Sequence, residues 1–96
     1  MKLLIIVSNP ASTAALKGLI GACTRRKQSF ICFFTGDGVQ TLSDPDVYDG
    51  ITHAERAVVC EKSWSDHFPG QPAPFEEGSQ TDHSAMLGEA DQVLSL

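Results

Sequence analysis

LLIIVSNP, residues 3–10, decides the fold. Leu3-Leu4-Ile5-Ile6-Val7 is an unbroken apolar run with no polar alternation, the pattern of a strand buried on both faces of a parallel sheet. Asn9-Pro10 stops it, because proline lacks the N–H that a ladder needs and steers the residue before it away from helical backbone. Ser12 or Thr13 then offers a helix cap. Leu16, Leu19, Ile20 and Cys23 follow at the i, i+3, i+4, i+7 spacing of one buried stripe, with Lys17, Thr24 and Arg25 off it. A doubly buried strand that feeds an amphipathic helix opens a βαβ unit.

The rest of the chain continues that alternation. SFICFFT, residues 29–35, is a second apolar strand, ended by the turn residues Gly36-Asp37-Gly38. Pro45 opens a short helix through Tyr48, with Asp49-Gly50 as its stop. Ala57-Val58-Val59-Cys60 is a third strand. Residues 65–80, rich in Pro, Gly, Gln, Glu and Ser, read as a mobile surface loop. Thr81 or Asp82 caps a last short helix with Met86, Leu87 and Ala90 inward. Residues 92–96 close the chain as a strand, with Val93 and Ser95 facing one way and Leu94 and Leu96 the other.

This order predicts one α/β domain over residues 1–96, a three-layer flavodoxin-like fold around a four- to five-stranded, mainly parallel sheet. Right-handed crossovers make the strand order 2-1-3-4 the simplest arrangement. The chain would then reverse direction between the first and third strands, and ligands of open α/β sheets sit beyond the strand ends at such a point. Ser8, Asn9, Gly36, Asp37 and Cys60 fall on that rim.

Composition narrows the function. The 96 residues are 42% hydrophobic and carry a net charge of −5, which argues against a nucleic-acid partner or a polybasic membrane anchor. No apolar run approaches the 18 or so residues of a membrane-spanning helix, and residues 3–7 are too few for a secretory signal. Three cysteines do not make a disulfide framework, so the expected compartment is the reducing cytoplasm. Charge is polarised along the chain. Residues 1–36 hold five bases and no acid, while residues 37–96 hold all twelve acids with only Arg56 and Lys62. Arg25-Arg26-Lys27 suits a helix C-terminus, where cations oppose the macrodipole.

Cysteine is the strongest chemical candidate. Cys23 lies on the helix stripe and Cys32 inside an apolar strand, as small buried hydrophobes do. Cys60 ends its strand, and Glu61-Lys62-Ser63-Trp64 can begin a helical turn. A thiol at a helix N-terminus near a lysine has a lowered pKa, and the thiolate is the reactive form. The plainer alternative is an inert cysteine at a strand end. His53, His67 and His83 are too widely spaced for a compact metal site, so no metal is expected. Residues 44–55 echo a calcium loop, but Tyr48 stands where an oxygen ligand is needed and the glycine comes one residue late. Gly36-Asp37-Gly38 lacks the lysine of a phosphate loop. Trp64, Phe68 and Phe75 serve a lid, a subunit interface or ordinary packing under the loop.

The opening strand KLLIIVS, the exit FFTGDGV, the third strand VVC and the ending GEADQVLSL together resemble the DsrE/DsrF-like family of small sulfur-handling proteins. The resemblance spans nearly the whole chain and rests on the order of these features. It implies a flavodoxin-like fold that assembles into homo-oligomers, trimers or hexamers. It also implies that Cys60 accepts sulfane sulfur as a persulfide from a donor protein and passes it to an acceptor protein, with no cofactor. Lys62 and the main-chain N–H groups after the strand are the candidate thiolate stabilisers. Where some members have a second cysteine three residues later, this chain has Ser63, which weakens any dithiol reading. Two other functions fit the same fold: a non-catalytic assembly subunit, and a small-molecule or nucleotide-binding module.

Overall fold

The computed structural model describes residues 2–96, the side chain of Gln80 excepted. Five strands alternate with helices: β1 Leu3–Val7, α1 Thr13–Arg25, β2 Phe30–Phe34, α2 Pro45–Ile51, β3 Arg56–Cys60, α3 Glu61–His67, β4 Glu76–Gly78, α4 Gln80–Glu89 and β5 Gln92–Ser95. Short 3-10 segments, Pro10–Ser12 and Gly36–Ser43, link β1 to α1 and β2 to α2. The fold is α/β with an all-parallel sheet in the order β4-β3-β2-β1-β5.

That order corrects the simpler 2-1-3-4 expectation, and β2 supplies the reason. All five residues of FICFF are buried, so this strand needs a neighbour on each side, and 2-1-3-4 would leave it at an edge. In the observed sheet β2 is central, with β1 and β3 beside it. The chain steps from β1 to β4 in one direction. Right-handed crossovers therefore put α1, α2 and α3 on one face, and the return to β5 puts α4 on the other.

The two faces carry two separate cores. Leu3, Ile5, Val7, Phe30, Cys32, Phe34 and Val59 pack with Leu16, Ile20 and Cys23 of α1, Val47 and Ile51 of α2 and Trp64 of α3. Leu4, Ile31, Phe33 and Val58 face the other way and close under Met86 of α4. That second face is thinly covered. Burial of Met86 contributes roughly 1.5–3 kcal/mol to holding α4 down, and the His83 ring stacks on Phe33 at 4.7 Å.

Capping follows the sequence closely in places. Asp44 accepts hydrogen bonds from the Asp46 and Val47 N–H groups at the start of α2, and Lys17 of α1 reaches it at 3.1 Å. This contact ties the first two helices together. Its network lowers the Asp44 pKa, the Lys17 hydrogen bond most of all. Lys27 leaves α1 in the left-handed conformation, φ 54°, the place a glycine usually takes.

Residues 65–80 differ from the expected loop. They contain the second half of α3, all of β4 and the capping residue of α4; only residues 68–75 are irregular. Even there Trp64 Nε1 donates to the Gln71 carbonyl at 2.8 Å and its ring stacks on Phe68 at 4.3 Å. Trp64, Phe68 and Phe75 thus belong to the first core. Helix α4 is capped by Ser79, with Asp82 completing a capping box. Leu87, expected inward, is 41% exposed. No helix among the described residues is long and apolar enough to cross a membrane.

Candidate functional site around Cys60

Cys60 ends β3 and is the N-cap of α3, so its side chain lies where main-chain N–H groups of a helix's first turn are unpaired. It is half-buried, unlike Cys23 and Cys32, and all three cysteines are free thiols. Partial burial pushes the Cys60 pKa up, but the donors around it outweigh this and the net shift is downward. Those donors are the Ser63 hydroxyl, the Ser63 and Lys62 main-chain N–H groups and the Thr35 hydroxyl. The sulfur makes no side-chain capping hydrogen bond to the helix, and together these donors form a nest of dipoles suited to negative charge. Burial drives the other two thiols upward, Cys32 most strongly.

Ser63 joins the sulfur to the β2 exit. Its Oγ accepts the Gly36 N–H at 2.8 Å, which leaves its own proton free to turn toward Cys60. Gly36 adopts φ 56°, a conformation that favours glycine. Two residues on, a side chain at Gly38 would place its Cβ 2.2 Å from the Val7 carbonyl oxygen. Only the absence of a side chain lets residues 36–43 lie against the end of β1.

One turn beyond Ser63, His67 hydrogen-bonds to both Asp37 and Gln40, at 2.9 Å each. A Gln40 amide donating to Nδ1 leaves the imidazole proton on Nε2, which donates to Asp37. His67 is thereby engaged with residues 37 and 40. It locks α3 onto the 3-10 segment and so fixes Ser63 opposite Gly36.

The outer side of α3 is open. Cys60, Glu61, Lys62, Ser65, Asp66, Gly78 and Ser79 line a pocket of about 360 Å³ between the ends of β3 and β4. Gly78 carries no side chain because a Cβ there would meet Val58 Cγ1 at 2.4 Å. The pocket mixes one cation with two carboxylates and two hydroxyls. Among the described residues no group of three or more His, Cys, Asp and Glu side chains is placed to hold a metal ion.

The predicted rim is split. Gly36 and Asp37 sit beside Cys60, joined to α3 through Ser63 and His67. Ser8 and Asn9 serve local structure instead. Ser8 N–H and Oγ both donate to the Leu96 carbonyl, at 2.9 and 3.2 Å, and Asn9 Oδ1 accepts the Ala11 N–H at the start of the 3-10 turn. The topological ground for nominating Cys60 also falls, since the chain reverses between β1 and β5, two strands away from β3. What singles out Cys60 is its local electrostatics. Lys62 enters this through its main-chain N–H, and its ammonium is not among the groups that shift the thiol. Ser63, Thr35, Ser65, Asp66, Gly78 and Ser79 were not legible as site residues. The one signal was the spacing of Ser63 and His67, four apart, which puts both on one side of α3.

Set against family models, curated proteins and solved structures, the chain has no significant match, and what the structure establishes is an α/β fold with a five-stranded, all-parallel sheet.

Proposed function

We propose that this protein is a DsrE/DsrF-like carrier that accepts and transfers sulfane sulfur on Cys60. The observation that carries the reading is a half-buried thiol whose pKa is lowered by surrounding donors and which opens on a pocket. The Cys60 thiolate attacks the outer sulfur of a donor persulfide. A new S–S bond forms on Cys60, the donor's S–S bond breaks, and the donor leaves as its thiolate. The reverse step on an acceptor thiolate returns Cys60 to its starting state. No net electron transfer and no cofactor is needed. The dipoles that stabilise the thiolate equally stabilise the Cys60 persulfide anion. Donor and acceptor proteins, a homo-oligomer and a reducing cytoplasm belong to the same proposal.

Intact-mass measurement after incubation with a sulfane-sulfur donor tests it. Wild type gains one sulfur atom that an added thiol acceptor removes, and Cys60→Ser gains none; equal loading of the two overturns the reading. A second reading, a non-catalytic assembly subunit, is favoured by the exposed Val93 and Leu94 of β5, each 43% accessible. An alkylation rate at Cys60 no faster than that of an ordinary free cysteine selects it.

A further inference from the structure

We infer that β5 is a self-pairing edge: two copies of this chain join their sheets antiparallel across a twofold axis at Leu94. The register follows from the main chain. Gln92 N–H and Leu96 N–H donate to the Lys2 and Ile6 carbonyls, and Leu96 in turn accepts from Ser8 N–H. Alternate residues of a strand turn their polar groups to alternate sides, so the even-numbered residues of β5 serve β1. The N–H and C=O groups of Val93 and Ser95 point out of the sheet.

An antiparallel ladder needs outward-facing residues opposite each other and side chains of opposed residues on one face. Pairing Val93 with the partner's Ser95 satisfies both conditions. The axis then passes beside Leu94, which faces the partner's Leu94 as a close, non-hydrogen-bonded pair. Leu94 is in register with Ile5, so it lies on the α1 face, where it is 43% exposed. The twofold buries it against its own copy.

The two edges of the sheet are unlike. β4 is three residues long and carries Glu76 and Glu77, with Glu76 held by Arg56 at 2.6 Å. Opposed carboxylates would repel a second copy there, and short charged edges are how proteins block such pairing. β5 has the sequence QVLS, with no charge, and all four of its residues are exposed. Only this edge is fit for extension. The Cys60 pocket lies at the β3 and β4 end of the order, so in the dimer the two pockets occupy the distant edges and remain open.

Sedimentation of the full chain across a dilution series, with two kinds of variant, tests the inference. Wild type sediments at twice the chain mass and dissociates on dilution. Val93→Pro removes an outward N–H and leaves the bonds to β1 in place, so it stays folded and sediments as a monomer. In a Cys60→Ser background, Leu94→Cys crosslinks to a covalent dimer under mild oxidation, since the Cα atoms of a non-hydrogen-bonded pair lie about 4.5 Å apart, within disulfide range. Leu87→Cys, at an exposed position of α4, is the control. A wild type that stays monomeric, a folded Val93→Pro that stays dimeric, or Leu94→Cys that crosslinks no faster than Leu87→Cys overturns it.

Discussion

Replacing Ser63 with alanine slows the reaction of Cys60 with a thiol reagent, and the size of the effect follows from the geometry. The Ser63 hydroxyl is held by the Gly36 N–H at 2.8 Å and is the largest of the influences that lower the Cys60 pKa. The variant keeps the Lys62 and Ser63 main-chain N–H groups and the Thr35 hydroxyl, so one donor of several is lost. A hydrogen bond to a charged acceptor is worth about 1.5–3 kcal/mol, and a half-exposed sulfur, a weak acceptor, reduces that to roughly 1 kcal/mol. This corresponds to about fivefold less thiolate at a pH where the thiol form dominates. The assay is the iodoacetamide rate against pH, followed at Cys60 by mass spectrometry, with the buried Cys23 and Cys32 as slow internal references. The curve for Ser63→Ala moves to higher pH, while Ser65→Ala, which removes a pocket-lining hydroxyl that is not among the donors lowering the Cys60 pKa, overlays wild type. Superimposable curves for Ser63→Ala and wild type, or an equal shift in Ser65→Ala, would refute the role assigned to the hydroxyl.

Two stability predictions come from the packing. Gly38→Ala forces a methyl group against the Val7 carbonyl and destabilises the fold by about 3 kcal/mol, read as a fall in the urea midpoint. Alkaline pH acts through Cys32. Burial raises its pKa above the ordinary 9.0, so above that value the unfolded chain ionises while the folded chain cannot. The stability it contributes is full below about pH 9 and is lost as pH rises beyond it. Urea midpoints of wild type therefore decline over that range, and Cys32→Ala, though less stable at neutral pH, declines less; parallel slopes would contradict the assignment.

Much of the architecture was readable because strong local signals agreed with tertiary demand. LLIIV and FICFF have no polar face and became the two most deeply buried strands. The stripe Leu16, Ile20, Cys23 lies buried as its spacing requires. Strand β4 escaped notice because Glu76-Glu77-Gly78 has neither apolar alternation nor β-branched residues. It is a strand only because Arg56 and the end of β3 offer it a partner. Strand order escaped for a related reason: crossover rules permit several orders, and the total burial of β2 was the clue that decided among them. At the site, the strand end and the thiol were legible, whereas the donors around the sulfur come from residues 35, 62 and 63 and meet only after folding.

The crossing of α4 over the sheet has a temporal side. Synthesis delivers β1 through β4 and their three helices before residues 79–96 emerge, so the nascent chain holds Leu4, Ile31, Phe33 and Val58 uncovered while one flank of β1 waits for β5. Long-range parallel pairing is slow, and exposed apolar surface with open strand edges invites association. The interval before the last eighteen residues dock is therefore when this protein has most need of a chaperone, and truncations that remove them will be recovered in inclusion bodies.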